Sequence, residues 1–357
     1  MTGLIPRPSR SARAPRYAAA LLVLLGAACE GGGTTGPEPV EEIATLTVDA
    51  SQGWAMVDLG TTARPVTVAD ASSSTAWDLA FNATSVMLNG GGAGPGGVVG
   101  HCVCQNAGAA DTQVGAFTAE SERADFEAVT AAGIPAADSA WTSDALAPAV
   151  SGWWSYDPAT HAVSAVPGRV WKLRTAEEAA AFAKLRVVKV EGAARGHAGK
   201  VTFEYALQPA RGAPMGEVRT ATVDVSGGRV YFDLVRGTVS DASDWDLAFE
   251  GYDIRVNGGV SGSGRAGAVV VDEPFAAITD ASDLTASHYR ADAYGGVFAA
   301  KRWYRYNITG SDHQVWPTYD VYLVKRGAEV YKVQLTGYYG ATGDARRITF
   351  RYAKLAG

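Results

Sequence analysis

The sequence predicts a mainly β protein that consists of two tandem copies of one β-rich domain with small helical insertions. The word WDLAF at 77–81 recurs at 245–249, and an Asn-Gly-Gly turn follows each copy of it. Further words recur in the same order along the chain, which is typical of a duplicated domain. Many of these words alternate apolar and polar residues, as half-buried strands do.

The repeat sets the predicted domain boundaries. The first shared word begins at Thr47 in one copy and at Thr222 in the other, and the last spans 201–206 and 348–353. The words keep their order while the loop lengths between them change, which indicates tandem copies of one domain, predicted at 45–208 and 218–357 with a joint at 208–214. A propeller is excluded because its blades recur about every 40–45 residues.

Strands and helices follow from local patterns. The runs 321–325 (VYLVK) and 330–335 (VYKVQL) flank a short glycine-containing loop and predict a β-hairpin. The alternating run 348–352 predicts another strand. In the first copy, 175–183 is rich in Ala and Glu and predicts a helical turn, and 125–132 is also predicted to be helical.

Trp77 and Trp245 are predicted to anchor the two cores, because a buried indole removes about 150–250 Å² from water. The aspartate after each tryptophan is expected to face the other way and to accept N–H groups from the glycine-rich loop that follows. At 257–267 this loop is similar to a phosphate-binding loop. However, a Val-rich strand follows it in place of a helix, and it lacks a Gly-Lys-Ser/Thr ending. A hairpin tip is therefore predicted there, and not a nucleotide site.

The N-terminus predicts export and a lipid anchor. Four arginines precede an apolar segment at 18–25, which is far shorter than the roughly 20 residues of a spanning helix. The segment leads into LGAAC at 25–29, which is similar to a bacterial lipoprotein signal that ends in a lipidated cysteine, here Cys29. We expect a signal peptide at 1–28, a flexible tether at 29–44 and a place at the outer membrane or cell surface. Gly26 stands where such signals usually carry Leu, so an ordinary secretory signal is the alternative.

Composition and cysteine usage limit the classes of function that the chain could have. Without residues 1–28 the chain loses four arginines and its net charge changes from −6 to −10, which disfavours nucleic-acid binding. Cys102 and Cys104 share one face of a predicted strand, and His101 lies on the other. A disulfide, a Zn²⁺ or Cu⁺ site and free thiols all remain open for this group. No nucleophile elbow or His-Glu-x-x-His spacing points to an enzyme.

Taken in order, the recurring words resemble the HmuY family. The words are WDLAF, the loop NGGVSGSG at 257–264, WYRYN at 303–307, VYLV at 321–324 and ITFRY at 348–352. The resemblance covers 222–355 and, more loosely, 47–207. It implies a non-enzymatic β-rich surface lipoprotein that binds haem and passes it to a TonB-dependent uptake receptor. The alternative is a surface β domain that binds protein or glycan without haem.

The resemblance also implies two axial haem ligands, a His pair or Met residues, from loops in the second half of a domain. His288 and His313 meet this requirement in the second copy, with pocket walls expected from Tyr289, Tyr294, Phe298 and Trp316. The first copy has His161 at the place of His313 and no second ligand, so a two-ligand site is expected only in the second copy. Because this histidine occurs in both copies, a hydrogen bond that braces its loop is the other interpretation.

Overall fold

The structure is a computed structural model that describes residues 42–177 and 179–355. It confirms a mainly β chain, with 24 strands, three short α-helices and four 3-10 helices in the described residues. The strands are β1 (Ala44–Asp49), β2 (Ala55–Asp58), β3 (Arg64–Val66), β4 (Leu79–Asn82), β5 (Ser85–Leu88), β6 (Val99–Cys102), β7 (Ala145–Ala147), β8 (Trp154–Asp157), β9 (Ala162–Ala165), β10 (Val170–Arg174), β11 (Phe182–Glu191), β12 (Lys200–Gln208), β13 (Val218–Asp224), β14 (Val230–Asp233), β15 (Thr238–Ser240), β16 (Leu247–Glu250), β17 (Asp253–Val256), β18 (Gly267–Val271), β19 (Ala293–Gly295), β20 (Tyr304–Tyr306), β21 (Val315–Pro317), β22 (Val321–Arg326), β23 (Glu329–Tyr339) and β24 (Ala345–Lys354).

The helices are short and lie between strands. They are α1 (Asp111–Val114), α2 (Arg123–Ala128) and α3 (Val297–Ala300), and the 3-10 helices are Ala131–Gly133, Asp138–Ala140, Phe275–Ala277 and Ala286–His288. No helix among the described residues has the length and hydropathy needed to cross a bilayer. The predicted signal peptide, most of the predicted tether and Cys29 lie outside the described residues.

Both large sheets combine strands from the two sequence copies. One five-stranded sheet has the order β1-β24-β23-β22-β6, and the other has the order β13-β12-β11-β10-β18. All these pairs are antiparallel, from Ala44 opposite Tyr352 in β1–β24 to Lys200 opposite Asp224 in β12–β13. The domains predicted at 45–208 and 218–357 therefore do not each close a large sheet of their own.

The strands form two lobes, and the bounds of these lobes differ from those of the two sequence copies. The segment 148–296, here called the inserted lobe, holds β8 to β18, and residues 42–147 with 297–355 form the split lobe around the other large sheet. Each lobe has its own main apolar core. Among the described residues, the buried members of the inserted-lobe core all lie between Val150 and Ala268, and those of the split-lobe core lie before 99 and after 296.

The two segments that connect the lobes pair with each other. Strands β7 and β19 run antiparallel, with Leu146 opposite Tyr294. A buried aspartate precedes each strand, and the two make matching contacts. Asp144 accepts the N–H of Leu88 at 2.9 Å, and Asp292 accepts that of Val256 at 3.1 Å. Burial raises the pKa of Asp144 to about 6 and also raises the pKa of Asp292.

Several local predictions are confirmed. The hairpin forms as β22 and β23, the run at 348–352 lies within β24, and α2 occupies part of the predicted helix at 125–132. The helical turn predicted at 175–183 is wrong. Thr175 and Ala181 close a loop there through hydrogen bonds of 2.9–3.0 Å, and β11 begins at Phe182. Pairing of β11 with both of its neighbours outweighs the helical propensity of Ala and Glu.

The prediction that the tryptophans of the two WDLAF words lie in the core is confirmed, since Trp77 and Trp245 are both buried. The aspartates do not hold the glycine-rich loops as expected. Asp78 and Asp246 accept N–H groups just after strands β2 and β14, from Leu59 at 2.7 Å and Leu234 at 3.0 Å.

Asparagines hold those loops instead. Asn89 accepts the N–H of Gly96, and Asn257 accepts that of Gly264, both at 3.0 Å. A Cβ atom on Gly262 would lie 2.1 Å from Oδ1 of Asn257. The glycine-rich word is therefore a close-packed turn around an asparagine, in agreement with the predicted hairpin tip.

Candidate binding site

Two equivalent hairpins present a tyrosine and a histidine, one in each lobe. In β8–β9 the hydroxyl of Tyr156 lies 2.5 Å from Nδ1 of His161, and in β20–β21 that of Tyr306 lies 3.3 Å from Nδ1 of His313. Both histidines have left-handed backbones, with φ of 56° and 51°. This is the loop-bracing hydrogen bond that the recurrence of the histidine suggested.

An apolar cavity lies beside the first of these hairpins. It has a volume of about 510 Å³, and we call it the aromatic slot. Its walls include Trp154, Tyr156, His161, Val163, the loop 193–196 and Tyr252. The rings of Trp154 and Tyr252 are 4.6 Å apart at 34°, and the Tyr252 hydroxyl donates to the carbonyl oxygen of Ala194 at 3.0 Å. The slot is thus bounded by packed aromatic rings that are fixed to the loop facing them.

Three kinds of functional group line the slot. The rings of Trp154 and Tyr252 supply flat apolar surface, which suits a planar ligand. His161 supplies an imidazole, which can bind a metal through one ring nitrogen while the other is hydrogen-bonded. Arg195 lines the slot and makes no ion pair with the part of the chain that the structure describes, so its guanidinium group can pair with an anionic substituent.

Sequence reasoning did not identify most of the slot. Trp154 belongs to a recurring word, but Tyr252, whose ring packs against it, lies in the other sequence copy, in the turn between β16 and β17. Only the pairing of strands across the copies brings the two rings together.

The structure places the two predicted haem ligands on different lobes. His288 ends a 3-10 helix of the inserted lobe, is exposed, and has its Nδ1 2.8 Å from Oγ1 of Thr285. His313 is exposed at the β20–β21 hairpin of the split lobe. Their described side-chain partners are these local hydroxyl groups, and none of their described contacts joins the two imidazoles.

The four predicted wall residues have different surroundings. Phe298 lies in the split-lobe core, whereas Tyr289 belongs to a small buried cluster of the inserted lobe. Tyr294 is part of β19 and packs against the cluster around the first WDLAF word. Trp316 lies on β21 and donates its indole N–H to Asp312 at 2.9 Å. These four side chains pack in different places, and their described contacts do not form one haem pocket.

The cysteines form a crosslink beside β6. Cys102 and Cys104 are joined by a disulfide, and Nδ1 of His101 lies 2.9 Å from the carbonyl oxygen of Ala140. In the described part of the chain there is no group of three or more His, Cys, Asp or Glu residues that could hold a metal ion. Of the three alternatives for this group, the structure shows the disulfide.

Comparisons with known proteins add the following findings. The family model described as HmuY protein matches residues 50–205 and 227–352, which is more than half of the chain. Curated proteins give no match. A solved candidate lipoprotein from Bacteroides fragilis is 18% identical over 43% of this chain and 88% of its own, with a TM-score of 0.17. A solved candidate HmuY-like haem-binding protein from Bacteroides vulgatus is 16% identical over 43% of this chain and 91% of its own, with a TM-score of 0.16.

Proposed function

Because this chain belongs to the HmuY family, we propose that it binds haem or a related porphyrin, and that the aromatic slot is the site. The observation that carries this proposal is the meeting of an imidazole, two packed aromatic rings and a guanidinium group around one cavity of about 510 Å³. Bound haem would supply an iron centre that an imidazole can bind, and two carboxylate groups. The role is binding rather than catalysis.

Each of these residues of the slot would have its own role in binding haem. When His161 carries its proton on Nδ1 and donates it to the Tyr156 hydroxyl, the lone pair of Nε2 is left to bind a metal. The same hydrogen bond fixes the orientation of the ring. Trp154 and Tyr252 would exclude water from the porphyrin, and Arg195 would pair with a carboxylate.

We further propose that the protein is held at the outer membrane or cell surface by a lipid on Cys29 and delivers haem to a TonB-dependent uptake receptor. Support comes from the lipoprotein-like word at 25–29 and from membership of the family. A lipid anchor would keep a binding protein next to a membrane-embedded receptor, which raises the effective concentration of one at the other.

The test is a titration of purified residues 30–357 with haemin, followed by the Soret band. We expect a shifted band, and we expect His161→Ala to weaken the affinity for haemin by about tenfold or more, because the variant removes the imidazole that would bind the iron. The matched control is His313→Ala, at the equivalent hairpin, and His288→Ala is a second control. Absence of a Soret shift in the wild type would refute haem binding. Loss of binding only in the His288 and His313 variants would move the site to the ligand pair predicted from sequence.

Protein or glycan binding without haem is the second candidate function. It is favoured by the hairpin tyrosines, Tyr156 and Tyr306, which are 49% and 58% exposed. Aromatic rings that are exposed in this way are common at contact surfaces for other molecules. This candidate would be supported if the wild type bound a glycan or protein ligand but not haemin, and if Tyr156→Ala abolished that binding.

A further inference from the structure

A second cavity lies beside the equivalent hairpin of the split lobe, and its chemistry differs. It has a volume of about 710 Å³, and we call it the arginine cavity. Its polar lining includes Asp111, Arg290, Arg302, Tyr304, Arg305 and Tyr306. Three arginines against one aspartate give this cavity a local excess of two positive charges.

The arginines are not equally engaged. Arg305 pairs with Asp111 and also donates to the carbonyl oxygen of Ala109. The side chains of Arg290 and Arg302 make no hydrogen bond or ion pair within residues 42–177 and 179–355. Two guanidinium groups in one cavity repel each other, and an anion between them removes that repulsion. The surplus charge therefore favours an anionic ligand.

Two of these arginines, Arg302 and Arg305, belong to the split-lobe hairpin and its approach, and the equivalent hairpin of the inserted lobe lacks them. Tyr304 and Tyr306 take the places of Trp154 and Tyr156, so the aromatic positions are kept. At the places of Arg302 and Arg305 the first copy has Gly152 and Ser155. The shared hairpin thus borders an apolar slot in the inserted lobe and a cationic cavity in the split lobe, and Arg290 of the inserted lobe also lines the cationic cavity.

We propose that the arginine cavity binds a small anion with two or more carboxylate or phosphate groups. Arg290 and Arg302 bind the charged groups through paired N–H donors, the geometry in which guanidinium groups bind carboxylates and phosphates. Tyr304, Tyr306 and Tyr338 form an aromatic wall with hydroxyl groups. The chain is acidic overall, with a net charge of −6, so the cavity is a local attractor for anions on a surface that otherwise repels them.

The ligand would touch both lobes. Arg290 lies on the segment that pairs with β18 of the inserted lobe, where its N–H donates to Ala268 at 2.9 Å. Arg302, Tyr304 and Tyr306 belong to the split lobe. Anion binding is therefore expected to couple the lobes, and heat stability should rise with ligand concentration.

Calorimetry on residues 30–357, with citrate and pyrophosphate as separate probes at low salt, tests the proposal. We expect at least one probe to bind, with affinity that falls as salt rises, and the double variant Arg290→Gln/Arg302→Gln to weaken it by about tenfold or more. Citrate binding alone would indicate carboxylates, and pyrophosphate binding alone phosphates. Arg195→Gln in the aromatic slot is the matched control and should leave the affinity unchanged.

Either of two results would overturn the proposal: neither probe binds the wild type, or the double variant binds as tightly as the wild type. Arg290 and Arg302 are both exposed, so their replacement should leave the fold intact. Circular dichroism and the haemin titration report this independently. A failure of haem binding does not bear on the arginine cavity, because the two sites share no residue.

Discussion

Cleavage of the loop between the two sequence copies should leave the two fragments associated with each other. The loop 209–217 lies between β12 and β13, and a protease site inserted after Gly212 would divide the described chain into 42–212 and 213–355. Each large sheet would then contain strands of both pieces. Six residue pairs join β1 to β24, and seven join β12 to β13, so both ladders would cross between the pieces.

The free energy that holds the pieces together can be estimated from the shared cores. The second piece adds eight buried Val, Leu, Ile and Phe side chains to the inserted-lobe core, between Val223 and Val256. At about 1.5–3 kcal/mol for each, they contribute roughly 12–24 kcal/mol. The split lobe adds a second shared core. Association costs about 4–15 kcal/mol, so the midpoints of the two ranges leave about 8 kcal/mol from the inserted-lobe core alone, which corresponds to roughly micromolar binding before the split-lobe core is added.

Size-exclusion chromatography with light scattering measures the outcome. The cut chain should show two bands on a denaturing gel and elute in native buffer at the position of the uncut chain. The same cut sample in concentrated urea is the control, and its pieces should separate. If the pieces separated in native buffer, each copy would be a complete folding unit and the exchanged pairing of the sheets would be refuted.

Two further predictions concern a buried acid and the proposed anchor. Since the pKa of Asp144 is raised from 3.8 to about 6, the folded state holds a proton that the unfolded state releases between these pH values, and stability should fall by about 3 kcal/mol as pH rises through that window. Asp144→Asn keeps an acceptor for the N–H of Leu88, so its urea stability relative to the wild type should increase from pH 4 to pH 7, and a constant difference would contradict the assignment. For the anchor, palmitate labelling in a bacterial host should disappear in Cys29→Ser, and labelling that persists would rule out this cysteine as the lipid site.

Local structure could be predicted from the sequence because it depends on neighbouring residues. Alternation was enough to identify the β22–β23 hairpin, and side-chain size was enough to identify the core tryptophans. The pairing across copies could not be predicted, because the competing partners are chemically equivalent. Thr47 meets Thr349 and Thr202 meets Thr222, both through hydroxyl groups 2.9 Å apart, so either exchange of partners would give the same contact.

The candidate site was only partly predictable for the same reason. The recurring histidines were visible in the sequence, but spacing alone could not distinguish an imidazole beside a cavity from one on an open hairpin. His161 lines the aromatic slot, whereas His313 is not part of the arginine-cavity lining. The helix predicted at 175–183 failed because pairing within a sheet decided the conformation.

The exchange of strands has a consequence for how the two cavities can evolve. The aromatic slot takes Trp154 and His161 from the first copy and Tyr252 from the second, while the arginine cavity takes Asp111 from the first and Arg302 from the second. A duplicated gene usually frees one copy to drift while the other keeps the old task. Here each copy contributes to both cavities, so neither half of the gene can change freely without the risk of altering both ligand sites.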